Sequence, residues 1–214
     1  MSDEIVLYGE SNWESPYVFS CFVALREKGI PFELRTWTLA AGEHRRGDYA
    51  NRSVTGRVPA LVHGDFWLAE SSAIDEYLED VFPPPQHARL YPADVRERAR
   101  ARQVQAWLRS DLLPLREERP TTTVFGAPAG KPLSSTAQWA AERLLGGCEQ
   151  LLPGSAQYLF GESFGIADAD LALMLQRLIR NGDPVPERLR DYAGRVWARP
   201  SVREFASHPR QRAP

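Results

Sequence analysis

Val58-Pro59-Ala60-Leu61-Val62-His63-Gly64-Asp65-Phe66-Trp67-Leu68-Ala69-Glu70-Ser71 reads as a β-hairpin set between a proline and the start of a helix. Residues 60–63 and 66–68 are strand runs, and Gly64-Asp65 is the turn pair between them. Proline has no N–H, so at the mouth of a strand it suits an edge, a first strand residue or a special turn. A cis Val58-Pro59 bond meets that requirement and aims the N–H and C=O of Val58 outward, where an extended peptide can pair with them as an added strand would. Glu70 and Ser71 directly precede the helical-period run Ile74, Tyr77, Leu78, Val81. Ser71 therefore sits at or beside a helix N-terminus, whose free N–H groups and dipole favour a carboxylate. The block reads as a receptor for a small extended peptide.

Working outward toward the N-terminus, residues 5–8 form a short apolar strand run, and 9–15 form a loop leading to Pro16. Proline suits the first turn of a helix because its missing N–H has no partner there anyway. Val18, Phe22 and Leu25 follow at helical spacing, Arg26 and Lys28 sit near the helix's negative end, and Gly29 is placed as a left-handed cap. Ile30-Pro31 opens a second strand with alternating Phe32, Leu34 and Thr36. This β-α-β unit predicts a right-handed crossover between parallel strands. After the polar stretch 42–55, with room for one short helix, the hairpin and its helix complete the order βαβ-ββα. The expected closure is a mixed four-stranded sheet with helices packed on it.

Working outward toward the C-terminus, Phe82-Pro83-Pro84-Pro85-Gln86 must end the preceding helix and marks a domain boundary. The fold class is thus α/β followed by all-α: residues 1–82 form the α/β domain, 83–92 a linker and 93–214 an all-helical domain. Helical runs are expected over 95–113, 135–152, 167–180, 186–198 and 201–206, with 114–133, rich in Pro, Thr and Gly, as a long connection. Neither strand alternation nor internal repeats interrupt this half.

Composition excludes several classes. The 214 residues give room for two small domains or one large one. Residues 1–82 hold 7 Lys/Arg against 14 Asp/Glu and 83–214 hold 19 against 14, which separates the halves more than it names a partner. The densest basic run, 95–109, has five arginines but also Glu97, on a background of Ala, Val, Trp and Leu, as a solvated helix face does. With no basic pI and no recognition motif, no nucleic-acid partner is expected. Cys21 and Cys148 lack metal-ligand or C-x-x-C spacing, so neither a disulfide scaffold nor a metal site is expected. The start MSDEIVLYGE has no basic n-region or apolar h-region, and no run is long enough to span a bilayer. A cytoplasmic protein with no membrane partner is the expectation.

A βαβ-ββα domain with Val58-Pro59 before its hairpin and Glu70-Ser71 opening its last helix, joined to an all-helical domain, resembles the glutathione transferase superfamily over nearly the whole chain. Ser15-Pro16-Tyr17, with the run 23–30, resembles that family's first loop and helix. Gly42-Glu43-His44, Asn51 and Gly56-Arg57-Val58-Pro59-Ala60-Leu61 resemble its glutathione-binding segment, and Phe160-Gly161 through Ile166-Ala167-Asp168 the start of its central helix in the second domain. The resemblance implies a thioredoxin-like first domain and a homodimeric enzyme with glutathione as co-substrate and no metal. Carried onto this chain, it has Val58 pairing with the cysteinyl part of glutathione, and Glu70 and Ser71 holding the γ-glutamyl end. His44 and Arg57 are then placed for the glycyl carboxylate, the alternative for both being a solvated surface position.

The implied chemistry needs glutathione's thiol as thiolate, whereas a free thiol has a pKa of about 8.5. Lowering that by ~1.5 units takes roughly 2 kcal/mol of preferential stabilisation of the anion. A hydroxyl donor at a helix N-terminus can supply it. Ser15, directly before Pro16, is the implied activating group; its other reading is an ordinary N-cap. Ser11 and Asn12 are alternatives, and Tyr8, in the strand, is less suited. Serine at position 15 argues against the thiol-transferase chemistry of cysteine-type members, and Cys21 reads as a packed core thiol. The implied electrophile pocket nominates Trp13, Arg102, Trp107 and the 114–133 segment, although aromatics at helical spacing are more often core. Gly165 stands where the family carries Ser or Thr three residues before Asp168; Asp168 can still reach back to the Gly165 N–H and keep half a capping box, as a stability residue. The implied activity is thiolate attack on an electrophilic carbon or a hydroperoxide oxygen. Glutathione-dependent isomerisation and a non-enzymatic ligand carrier or regulatory partner are the alternatives.

Overall fold

The computed structural model describes residues 4–152, 154 and 156–210. The chain divides into two compact units, one of residues 1–90 with 200–214, the other of 91–199. The first unit contains β1 (Ile5–Glu10), α1 (Pro16–Glu27), β2 (Glu33–Trp37), α2 (Gly47–Arg52), β3 (Ala60–His63), β4 (Phe66–Ala69) and α3 (Ser71–Val81). The described strands form one mixed sheet in the order β2-β1-β3-β4. β1 runs parallel to β2 with Val6 beside Glu33, antiparallel to β3 with Tyr8 beside Ala60, and β3 pairs antiparallel to β4 with Ala60 beside Ala69.

The two faces of this sheet are covered differently. On one, a Cβ at Gly9 would come within 2.9 Å of the Val18 side chain, so α1 lies close enough there to require glycine. α1 is buried from Val18 through Leu25, and α3 packs beside it with Ile74 and Leu78 inward. Ser20 donates a hydrogen bond across that contact to Asp75 Oδ2 at 3.0 Å. On the other face, Tyr8 stacks between Trp37 and Trp67, with ring centroids 5.7 and 5.4 Å away, and Tyr49 of α2 meets it edge-on at 5.2 Å. Tyr49 closes the cluster by donating to the carbonyl of Arg57 at 2.6 Å, and burial pushes its phenol up to about 12.

Two features differ from the sequence expectation for residues 83–214. The last helix, α10 (Pro200–Ala206), belongs to the first unit: Phe205 sets its ring against Phe19 and Phe22 of α1, 5.3 and 5.4 Å away. Helical periodicity tells which face of a helix is apolar but not which unit buries it. The start of the linker is also held in the first unit, because buried Lys28 pairs with Glu79 at 2.7 Å and donates to the carbonyls of Phe82 and Ala88, each at 2.9 Å.

The second unit holds α4 (Val95–Ser110), α5 (Leu113–Glu118), α6 (Thr121–Phe125), α7 (Ser135–Leu151), α8 (Ile166–Ile179) and α9 (Glu187–Trp197). α8 is buried almost all round, with α4 and α9 against it. The 114–133 connection contains most of α5 and all of α6, which Pro114 and Pro120 disguise as loop although both residues stand at helix starts. It is pinned: Arg119 forms a two-pronged pair with Asp183 at 2.7 and 2.9 Å and donates to the Lys131 carbonyl, while Asn181 accepts from the Ala129 N–H at 2.7 Å.

Candidate functional site

The register sets Tyr8, Ala60 and Ala69 in one line across β1, β3 and β4. The loop after β1, the Val58-Pro59 pair before β3 and the Glu70-Ser71 pair after β4 therefore leave the sheet at the same end. This is how one fold gathers three segments that are distant in sequence.

Ser15 ends the first of these segments as the N-cap of α1, its Oγ accepting from the Val18 N–H at 3.3 Å. A hydroxyl that accepts in this way keeps its own O–H to donate elsewhere, so capping and donation to a ligand are compatible. Beneath the loop lies Glu10, 8% exposed, at the end of an otherwise apolar strand. Its Oε1 accepts from the Ser15 N–H at 2.7 Å and from the Glu14 N–H, while Oε2 is buried with no hydrogen-bond partner among the described residues. Burial drives the Glu10 pKa above the ordinary carboxylate value, against the lowering effect of the backbone N–H groups. Ser11 and Asn12 are exposed, and the Tyr8 hydroxyl accepts from Arg35 at 3.4 Å on the α2 face of the sheet.

The Val58-Pro59 bond is cis, and Val58 lies two residues before the paired part of β3 begins. Glu70 has φ +73°, a backbone region that costs a non-glycine residue about 1–3 kcal/mol and that clusters at ligand-holding positions. It stands at the N-cap position of α3 yet makes no side-chain cap hydrogen bond, so its exposed carboxylate is not spent on capping. Ser71 is buried as the first residue of α3, and Cys21, fully buried in α1, places its Sγ 3.8 Å from the Ser71 carbonyl.

His44 is buried, its Nδ1 with no hydrogen-bond partner among the described residues, so it is not a solvated surface residue. Arg57 is exposed. Trp13, at φ +55°, stacks on His208 at 3.6 Å and contacts Phe205 and Phe22 at 5.1 and 5.5 Å. Its carbonyl accepts from Arg210 Nε at 3.0 Å and Nη2 at 2.9 Å. Arg102 lies exposed on α4. Trp107, also on α4, packs on α7 so closely that a Cβ at Gly147 would fall 2.6 Å from its ring, and its Nε1 donates to Asp111 at 3.2 Å. Trp107 is thus engaged in helix packing within its own unit.

Asp168 is fully buried at the start of α8, where Oδ1 accepts from the Leu159 N–H and the Tyr192 hydroxyl and Oδ2 from the Gly165 N–H, all at 2.8 Å. Burial pushes its pKa up to about 6. Sequence reasoning passed over Glu10, Arg210 and His208. A lone acid ending the run Ile5-Val6-Leu7-Tyr8-Gly9 was an available signal for Glu10, whereas nothing local connects Arg210 to Trp13. A separate cavity of about 490 Å³ opens on the α2 face, lined by Tyr8, Trp37, Tyr49, Trp67, Arg35 and Arg52 among others, and shares no lining residue with the Ser15, Val58 and Ser71 segments. Among the described residues, no group of His, Cys, Asp and Glu side chains could hold a metal ion, and no helix is long and apolar enough to cross a membrane.

A mixed four-stranded thioredoxin-like domain with a cis-proline before β3, joined to a helical unit, defines a class of glutathione-binding folds, and the family comparisons agree. Residues 14–81 match the family described as glutathione S-transferase, N-terminal domain, and 94–209 that described as glutathione S-transferase, C-terminal domain; the chain belongs to the glutathione S-transferase family. It is 33% identical over 151 residues to glutathione S-transferase 1 of Dianthus caryophyllus, covering 70% of this chain and 67% of that one. A glutathione transferase homologue from Burkholderia gl BGR1, solved with bound glutathione, is 42% identical with a TM-score of 0.77, covering 94% of this chain and 95% of that one. A bacterial zeta-class maleyl pyruvate isomerase is 25% identical with a TM-score of 0.71, covering 94% and 95%. Matched stretches span from 34% to 67% of the length of the first curated relatives.

Proposed function

We propose that the protein is a glutathione transferase in which the Ser15 hydroxyl donates to the glutathione sulfur and holds it as thiolate. What carries the reading is the convergence at one end of the sheet of three segments, one ending in a hydroxyl at a helix N-terminus, one in a cis-proline and one in Glu70-Ser71. The related Burkholderia protein was solved with glutathione bound, which supports the same ligand here. In this reading the cysteinyl backbone pairs with Val58, and the γ-glutamyl ammonium meets Glu70 while its carboxylate meets Ser71 and the α3 N–H groups. The glycyl carboxylate lies toward His44 and Arg57. Within the first unit, Trp13 is the residue assigned to the electrophile, whereas Trp107 is engaged in packing on α7 in its own unit. The active species is a homodimer of two-domain chains.

The thiolate attacks an electrophilic carbon, forming the S–C bond as the leaving group departs with its electron pair. With an organic hydroperoxide, the sulfur attacks the peroxidic oxygen and the O–O bond breaks, giving an alcohol and a glutathione sulfenic acid. A second glutathione then displaces water from that sulfenic acid to form the disulfide. The likeness to a maleyl pyruvate isomerase favours a second use of the same thiolate: reversible addition to an electron-poor alkene diacid, rotation about the resulting single bond and elimination, with no net consumption of glutathione.

Calorimetric titration with glutathione, alongside turnover of an electrophile, a hydroperoxide and an alkene diacid, tests this. The parent protein binds glutathione, and Ser15→Ala lowers kcat/KM roughly thirtyfold, the equivalent of ~1.5 pKa units at the thiol. Absence of binding by the parent sinks the enzyme reading. Unchanged turnover in Ser15→Ala removes Ser15 as the activating group.

A further inference from the structure

The loop 11–15 has little backbone pairing of its own. The Ser11 N–H donates to the Trp37 carbonyl at 3.0 Å and the Trp13 N–H to the Glu10 carbonyl at 3.3 Å. The next polar groups of the loop are met by two side chains. Glu10 takes the N–H groups of Glu14 and Ser15 on a single oxygen, and Arg210 takes the Trp13 carbonyl with two of its nitrogens. Arg210 is itself fixed by the carbonyls of Ala206, His208 and Phe205 at 2.8, 3.0 and 3.0 Å, so it bridges the end of α10 to the loop. His208 completes the bridge by stacking on the Trp13 ring.

We propose that Glu10 and Arg210 are positioning residues for Ser15, gripping the Trp13-Glu14 peptide group from its carbonyl and N–H sides so that the serine hydroxyl is presented at a fixed place above the start of α1. The proposal rests on the role given to Ser15 above. Three observations carry it. First, Glu10 binds the Ser15 N–H itself, so the point from which the hydroxyl rotates is fixed by that bond. Second, the other oxygen of Glu10 is buried with no hydrogen-bond partner among the described residues, so the hydrogen bonds the carboxylate makes to the loop are directed at the Glu14 and Ser15 N–H groups. Third, Trp13 adopts φ +55° within the clamped span, which a bulky residue holds only when its surroundings determine it. Among the described residues, the charged groups facing Glu10 are Glu14 and Arg210, whose opposite signs act on the same few residues. A misplacement on the order of 1 Å at a catalytic group costs up to about a hundredfold in rate, so a clamp of this kind has a measurable effect on turnover.

The test reads the pKa of enzyme-bound glutathione from thiolate ultraviolet absorbance against pH, together with kcat/KM and the thermal midpoint. Glu10→Ala and Arg210→Ala should each raise the bound-thiol pKa by about one unit and lower kcat/KM about tenfold, with glutathione affinity changed by less than about threefold. Glu10→Gln keeps an oxygen acceptor at the same reach and restores the thiol pKa, whereas Arg210→Lys lacks the planar fork and does not. Asp168→Ala is the control for stability alone: it lowers the midpoint and leaves the thiol pKa in place. A parental thiol pKa in both alanine variants overturns the positioning role while leaving the function intact. A parent protein without any glutathione thiolate signal overturns the functional reading and this inference together. Should Glu10→Ala fail to fold, Arg210→Ala against Arg210→Lys decides the same question.

Discussion

Glu10 and Asp168 are both buried carboxylates at the entrance to a helix, one in each unit, and both have pKa values raised by burial. They are partnered differently. Asp168 uses both oxygens on three donors, two backbone N–H groups and the Tyr192 hydroxyl, which satisfies the site internally. Glu10 crowds two N–H groups onto one oxygen, and its other oxygen is buried with no partner among the described residues. A saturated carboxylate is what stability asks for, since each buried polar group then has its partner. An unsaturated one beside Ser15 fits the positioning role proposed for it, because function is where such costs are retained.

The sharpest way to break that contrast is to remove each acid. Asp168→Ala strands three donors, two of them buried, and should cost about 3–5 kcal/mol, lowering the melting midpoint by about 10 °C. Glutathione affinity should not change. An unaltered midpoint would remove Asp168 as a structural cap and with it half of the comparison.

Acid titration probes the same pair at a smaller scale. A carboxyl whose folded pKa is raised contributes stability that is fully present below its unfolded pKa and is lost as pH rises through the folded value. For Asp168 the interval runs from 3.8 to about 6, worth ~3 kcal/mol across it. The stability of the parent relative to Asp168→Asn should therefore fall between pH 3.8 and about 6 and level off above that, as urea melts at stepped pH would show. The corresponding window for Glu10 opens above 4.5. A parent-minus-variant difference that rises with pH in either window contradicts the burial argument.

These carboxylates also mark what sequence reasoning reaches. The βαβ-ββα order, the Ser15 cap and the backward reach of Asp168 to Gly165 are local: each depends on residues within a few positions, and pattern rules read them directly, whereas the cis state of Val58-Pro59 follows only from its context before the hairpin. The placement of α10 against α1, the Arg210 bridge to a carbonyl 197 residues away and the Tyr8, Trp37, Tyr49 and Trp67 cluster depend on which surfaces meet, and periodicity is silent about that. Glu10 falls between the two. An acid at the end of an apolar strand is unusual enough to notice, but only the turn of the loop brings the Ser15 N–H back to it.

Glu10→Ala should cost less stability than Asp168→Ala, about 1–2 kcal/mol, because it frees two N–H groups in a half-buried loop and at the same time removes an oxygen with no partner among the described residues. The variant's ranking by stability and by thiol pKa should therefore be opposite to that of Asp168→Ala. A common ranking in both assays would reduce the two acids to one kind of residue.

The smallest effect tests whether the second-unit site is as complete as its hydrogen bonds imply. Gly165, at φ −128° and ψ 167°, occupies extended backbone open to any residue, so Gly165→Ser introduces no backbone conflict. A serine there can accept from the Asp168 N–H, which now bonds to the Gly165 carbonyl at 3.0 Å, and complete the capping box. Glycine trails serine at an N-cap by only a few tenths of a kcal/mol, so the midpoint should rise by about 1 °C. A gain of several degrees would mean that the helix start was under-satisfied with glycine in place, and the distinction between a saturated Asp168 and an unsaturated Glu10 would lose its physical basis.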